Sequence, residues 1–278
     1  MTSILEVYDL TTNTRTVLKE FDNHIEAPNW TPDGGSLVYN SAGQIYRYDL
    51  ASGTSTHIPT GACTCCNNDH VLSADGTALA ISAGTEENPV SRVWVLPITG
   101  GEPRLVMEKQ PSYLHGWSPD GKTLAYCADR DGNYDVYSID INGGDETRLT
   151  DAPGLDDGPE FSPDGAHIWF NSVRSGLMQA WRMNADGSAQ TRMTHDDSVN
   201  AWFPHVSPDG TKVLTVCYYK DDVEPVAHPP NKNIEVRMMN ADGSGSTTLF
   251  KAFGGQGTMN VNSWAPNSQQ FAFVTYRL

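Results

Sequence analysis

The chain has 278 residues and carries 34 acidic against 18 basic side chains, a net charge of −16. That excess repels phosphate backbones and anionic lipid surfaces, which sets aside nucleic-acid and membrane partners. The length suits one domain, 1–278, with no room for a second, and no apolar run is long enough to span a bilayer.

In chain order, residues 4–18 read as an isolated outer hairpin, two β-rich runs around Thr11-Thr12-Asn13. A turn signal follows and then recurs. Trp30-Thr31-Pro32-Asp33-Gly34, Leu72-Ser73-Ala74-Asp75-Gly76, Trp117-Ser118-Pro119-Asp120-Gly121, Phe161-Ser162-Pro163-Asp164-Gly165 and Val206-Ser207-Pro208-Asp209-Gly210 are copies of one motif. Trp264-Ala265-Pro266-Asn267-Ser268 is a worn sixth. The fourth residue of each falls at 33, 75, 120, 164, 209 and 267, in steps of 42, 45, 44, 45 and 58. Self-similarity at that period marks a repeat architecture. Pro presets φ, Asp bonds its own backbone two residues on, and Gly takes the positive φ of a tight hairpin. Second hairpins follow at 44–59, 92–107, 135–150, 179–194 and 233–250, so each repeat is a four-stranded meander, the unit of a propeller blade. The last repeat, 262–276, has an inner hairpin and no outer one. Joined to residues 4–18 it completes a sixth blade. The expected fold is all-β, a six-bladed β-propeller of four-stranded antiparallel blades, closed by the N-terminal outer hairpin pairing with the C-terminal inner hairpin.

The short uniform turns lie on one face of such a ring, and the irregular links lie on the other. Residues 60–70, 84–91, 218–232 and 251–261 are all long links, and long links on a rigid scaffold are where binding and chemistry gather. The five residues ending each link converge on the axial funnel. Their middle position holds Pro28, His70, His115, Pro159, Pro204 and Asn262; their first holds Glu26, Asn68, Tyr113, Asp157, Trp202 and Asn260. His205 and Glu160 stand one residue after the middle position, and Asp69 one before it. Imidazoles from separate blades can hold a divalent metal while neighbouring acids orient them or take protons. The plainer alternative is that these His and Asn side chains satisfy backbone groups and water in the channel. Which strand parity faces the funnel is left open by the sequence.

The run from Trp117 to Thr150, with Asp129-Arg130-Asp131-Gly132-Asn133 and Gly143-Gly144-Asp145-Glu146-Thr147-Arg148-Leu149-Thr150, resembles the repeat of TolB-type propellers, and similar blades occur in oligogalacturonate lyases and beside prolyl-peptidase domains. The lyase resemblance implies a metal-assisted enzyme acting on a uronate-type saccharide or small acid, with hydrolysis next. His70, His115 and His205 would then hold Mn, Zn or Ca with Asn262 or Gln256, and no organic cofactor is implied. Asp157 or Glu160 would serve as base and Tyr113 as a further catalytic group. Asn68, Asp69, Trp202, Gln256 and Asn260 would bind an oligosaccharide, Trp202 by stacking. The TolB resemblance implies instead a non-catalytic scaffold with a protein partner on the long-link face, residues 218–232 acting as contact or lid. A monomer is expected in either case. The opening residues 1–6 lack the basic-then-apolar order of a secretory leader, so the chain reads as cytoplasmic, or as periplasmic if a leader has been removed.

The remaining signals are local. Cys127 and Cys217 fall in strands and are expected to be buried. Cys63, Cys65 and Cys66 read as loop residues in preference to a structural zinc site. Residues 129–135 look like a calcium loop but fit a within-blade link. The segment Gly254-Gly255-Gln256-Gly257-Thr258 has no strand-to-helix context for a phosphate loop and suits a rim that lets Gln256 reach the funnel. No Gly-x-Ser-x-Gly elbow is present, which argues against a peptidase.

Overall fold

Each Pro-Asp-Gly turn is locked by its own aspartate. Asp120 Oδ1 accepts from the Ser118 hydroxyl at 2.6 Å and from the Lys122 amide at 3.1 Å, while Gly121 takes φ +76°. Asp33, Asp75, Asp164 and Asp209 repeat both bonds at their own turns. In the worn sixth copy Asn267 accepts from the Gln269 amide at 2.9 Å, and Ser268 stands at φ +58° where the others have glycine.

These turns join the first two strands of every blade in the computed structural model, which describes residues 1–278. Five sheets are four-stranded and antiparallel, and their strands follow chain order. The innermost strands are Glu26–Trp30, Cys65–Leu72, Ser112–Trp117, Asp156–Phe161 and Val199–Val206. The sixth sheet is built from both ends of the chain: Thr2–Asp9 pairs with Thr14–Phe21 on one side and with Gln270–Arg277 on the other, in unbroken register from Thr2 opposite Arg277 to Asp9 opposite Gln270. The expected closure is therefore present. One detail differs, since the innermost member of this sheet is reduced to a single bridge, Trp264 with Phe271. The Ser263 and Thr258 carbonyls still accept from the Ala272 and Val274 amides, so that edge is covered by irregular chain instead of a strand. Asn262 helps to divert it by accepting from the Trp264 amide within its own turn, at 3.1 Å.

Apolar side chains fill the wedges between sheets. The largest cluster joins the fifth and sixth blades through Trp202, Phe203, Tyr218, Trp264, Phe271 and Phe273. No helix is present that is long and apolar enough to cross a membrane. Residues 129–135 form a tight hairpin in which Asp129 accepts from the Gly132 amide and Asn133 donates to Asp135, as a structural link requires.

Candidate functional site

Every inner strand breaks register as it reaches the axis. The shifts lie between Glu26 and Asn29, Cys66 and His70, Leu114 and Gly116, Asp157 and Glu160, and Trp202 and His205. Three of these bulges contain a residue with positive φ followed by proline: Ala27 at +55°, Gly158 at +59° and Phe203 at +53°. A bulge leaves backbone groups without a ladder partner and re-aims the side chains beside it.

The orphaned groups are met by the neighbouring blade. Seven residues after the first four turn aspartates stand Asn40, Ser82, Cys127 and Asn171, and after the fifth stands Val216. Asn40 donates to the Cys66 and Asn67 carbonyls at 3.0 and 2.8 Å, and Ser82 accepts from the Leu114 amide at 2.5 Å. Cys127 Sγ donates to the Asp156 carbonyl at 3.3 Å. Asn171 bridges the Ala201 carbonyl and the Phe203 amide, both at 2.9 Å. The first four blades thus each fix the bulge of the next.

The bulges wall a cavity of about 930 Å³ on the long-link face. Of its 22 lining residues, Glu26, Asp69 and Asp157 are the carboxylates, His24, His115 and His228 the imidazoles, and none is Lys or Arg. Asn68, Tyr113, Gln256 and Asn260 also line it, as do Tyr134 and Phe203.

The groups meet across blade boundaries. His115 on the third blade directs Nε2 toward Asp157 Oδ1 of the fourth at 3.4 Å and toward Asp69 Oδ1 of the second at 3.8 Å. Above Asp157 stands His228, from the long link of the fifth blade, with Nε2 at 3.9 Å from Oδ2. Burial works against a charged imidazole at His115, but the two aspartates outweigh it and raise its pKa to about 9. Burial also pushes the Asp69 carboxyl up to about 6, moderated by His115. Burial has the same tendency at Asp157, where His115, His228 and the Gly158 amide overcome it and hold the carboxyl well below its usual range. His228 is lowered by burial, and burial keeps the Cys127 thiol protonated.

Asn68, Asp69, Tyr113, His115, Asp157, Gln256 and Asn260, all anticipated from the sequence, therefore share one cavity. His70, Glu160, Trp202, His205 and Asn262 do not line it. His205 Nδ1 lies 2.7 Å from Glu160 Oε2 and its Nε2 lies 3.1 Å from the Met259 carbonyl. Glu160 Oε1 accepts from the Val206 amide and from Asn262 Nδ2 at 2.8 and 2.7 Å. Together Glu160, His205 and Asn262 clamp the fourth, fifth and sixth blades, with both imidazole nitrogens already engaged. His70 is fully buried, directs Nε2 at the Val38 carbonyl at 3.3 Å, and is driven by burial to a pKa of about 4, so it is neutral. The three-imidazole arrangement of His70, His115 and His205 is thus not brought together at the funnel, and no cluster of three His, Cys, Asp or Glu side chains has metal-binding geometry. Trp202 is fully buried against His228, at a centroid distance of 4.4 Å, because the positive φ of Phe203 turns that ring to the cavity in its place.

His24, His228, Tyr134 and Cys66 are cavity residues that motif spacing did not single out. His228 lies in the irregular link at 218–232 and has no counterpart in other repeats. Cys127, Asn40 and Asn171 carried a usable signal in their fixed offset from the turn aspartate.

A closed ring of six sheets around a polar axial funnel defines a β-propeller, with the cavity on the face carrying the long links. The family profile described as "TolB beta propeller domain" matches residues 71–275, and the chain belongs to that family. It is 47% identical over 277 residues, 99% of this chain and 93% of the relative, to an uncharacterised protein of Agrobacterium fabrum. A solved structure described as a putative TolB from Agrobacterium tumefaciens superposes with a TM-score of 0.95 at 47% identity, covering 100% of this chain and 99% of the other. TolB from Acinetobacter baumannii gives a TM-score of 0.68 at 19% identity, over 92% of this chain and 64% of that one, a likeness of fold. The chain spans about 58% of the length of the curated Francisella tularensis TolB proteins it matches.

Proposed function

We propose that the protein is a TolB-type interaction propeller that receives a segment of a partner polypeptide in the funnel on its long-link face. The observation that carries this reading is the cavity of about 930 Å³, open on the irregular face and walled by rigid bulges, with three carboxylates and neither Lys nor Arg among its lining residues. A uronate-type substrate would add negative charge to a funnel that already holds an excess of it, in a chain of net charge −16. Membership of the TolB family supports a protein partner and a periplasmic compartment in place of the cytoplasmic expectation. In this reading the ring is a monomer of 30.4 kDa, which light scattering checks.

A photo-crosslinking residue placed at Gln256, on the funnel, is expected to give a discrete adduct in the native cell, and one at Asp186, on the opposite turn face, is expected to give none. Equal labelling from both positions would remove the funnel from the interaction.

A catalytic reading rests on one observation, that His115 stands between two aspartates whose proton affinities are pushed far apart, as acid and base partners are. The residues present do not fit the metal site that the lyase resemblance implies, because His205 has both nitrogens engaged and His70 points at a backbone carbonyl. The scaffold reading expects no cleavage of oligogalacturonate with or without added Mn, Zn or Ca. Turnover abolished by His115→Gln would replace it with the enzyme.

A further inference from the structure

The funnel has more hydrogen-bond acceptors than donors to meet them. The Asp69 side chain is 7% exposed; its Oδ2 accepts from Asn67 Nδ2 at 2.5 Å, but Oδ1 has no donor closer than His115 Nε2 at 3.8 Å. Asp157 Oδ1 accepts from the Gly158 amide at 2.7 Å, whereas His228 Nε2 stands 3.9 Å from Oδ2. Both longer separations exceed a hydrogen bond. Against these two acceptors stands one unmet donor, Nδ1 of the protonated His115 ring, whose side chain is 6% exposed. Both oxygens face the open cavity, where water can meet them in the free protein, and a ligand bringing N–H donors can take that water's place.

Charge identifies the donor. Of the three carboxylates, Glu26 is already met by His24 Nε2 at 3.1 Å and Asn68 Nδ2 at 3.3 Å, whereas Asp69 and Asp157 share the one cation of His115, a surplus of about one negative charge at that pair with no Lys or Arg in the lining. An anion is repelled, and a neutral donor leaves the surplus in place. A cation with several N–H groups answers both. Tyr113 and Tyr134, with ring centroids 6.4 Å apart, and Phe203 add aromatic wall to the same cavity, suited to an alkyl stem and to a cation near a ring face.

We propose that the funnel recognises a Lys or Arg side chain of the docked partner segment, its N–H donors meeting Asp69 Oδ1 and Asp157 Oδ2 while its stem lies along Tyr113, Tyr134 and Phe203. This rests on the interaction-propeller reading and names the chemistry that reading requires.

The test is to pan a random heptapeptide phage library on the purified full chain and on the Asp69→Asn and Asp157→Asn variants, with circular dichroism confirming that each variant is folded. One enriched peptide, its basic residue replaced by norleucine, and free agmatine are then titrated calorimetrically. The expected result is enrichment of Lys or Arg on the wild type, lost on either variant, and at least tenfold weaker binding of the norleucine peptide. Peptides enriched without basic residues, or unaffected by both variants, overturn the cation inference and leave partner docking standing. Agmatine binding that Asp69→Asn weakens, with no peptide enriched, supports the cation chemistry and overturns the docking reading. Absence of binding by every probe overturns both.

Discussion

At Asp69 and His115, burial and charge pull in opposite directions, and the outcome is measurable. Burial raises the Asp69 carboxyl from 3.8 to about 6, so between those values the unfolded chain has released a proton that the folded chain keeps, and stability falls as pH rises through that window. Burial opposes the His115 cation, yet Asp69 and Asp157 raise it from 6.5 to about 9. The stability from that group is complete below pH 6.5 and is lost as pH climbs toward 9. The melting temperature is therefore expected to fall on the order of 5 °C between pH 6.5 and 9, and by clearly less in His115→Gln. An equal fall in the variant would assign the slope to other groups. A second residue-scale expectation concerns Asn171, which completes two backbone groups of the neighbouring bulge. Asn171→Ala should lower the unfolding free energy by about 2–3 kcal/mol in urea titration, whereas a loss below ~0.5 kcal/mol would show that water replaces it. The sequence displays this role at a constant distance from the first four turns, at Asn40, Ser82, Cys127 and Asn171, because the repeat fixes the geometry. It gives no such cue for His228, whose position depends on one link that is not repeated.

At the scale of elements, the inner strands explain both what the sequence shows and what it conceals. Their existence follows from the turns, since in five of the six copies Ser or Thr, Asp and Gly at fixed offsets close the hairpin by local bonds. Their facing does not, because alternation of side chains fails wherever a bulge intervenes. Thus Asp157 reaches the cavity while Trp202, at the equivalent position of the next blade, is fully buried and its neighbour Phe203 lines the cavity instead. His70 and His115, which match by position, consequently play different parts, with His115 facing the cavity and His70 buried against the Val38 carbonyl, while His205, one position later in its blade, joins blades. The clamp gives an expectation of its own. His205→Ala leaves Glu160 buried without its partner and should cost about 2–4 kcal/mol in stability, with binding at the funnel unchanged when assayed at low temperature. Loss of funnel binding at intact stability would return His205 to the site. The long link at 218–232 is tied down by the Val223 carbonyl, which accepts from Asn200, and by the Pro229 carbonyl, which accepts from Tyr218. It therefore presents His228 as a fixed wall of the funnel.

For the whole molecule, stability rests on the sheet shared by the two ends of the chain. Glu6, only 4% exposed in that sheet, accepts from Arg15 at 2.5 and 3.0 Å and from Thr275 at 2.6 Å, so one carboxylate ties the first strand to the second and to the last. Glu6→Ala should lower the unfolding free energy by about 2 kcal/mol, discounted for the half-exposed arginine, and removal of residues 1–9 should leave a chain that does not fold cooperatively in calorimetry. The closure was legible from the outset, because an outer hairpin without an inner partner at one end and the reverse at the other have a single way to combine. The reduced last inner strand was not, since its 58-residue step conveys extra chain without saying where it runs. The same closure also sets a timetable for biosynthesis. The hairpin at residues 2–21 leaves the ribosome ahead of the five full sheets and has to wait until Gln270–Arg277 emerges, so a chain stalled before that strand displays a bare strand edge that chaperones, or a second nascent copy, will find before its own partner strand does.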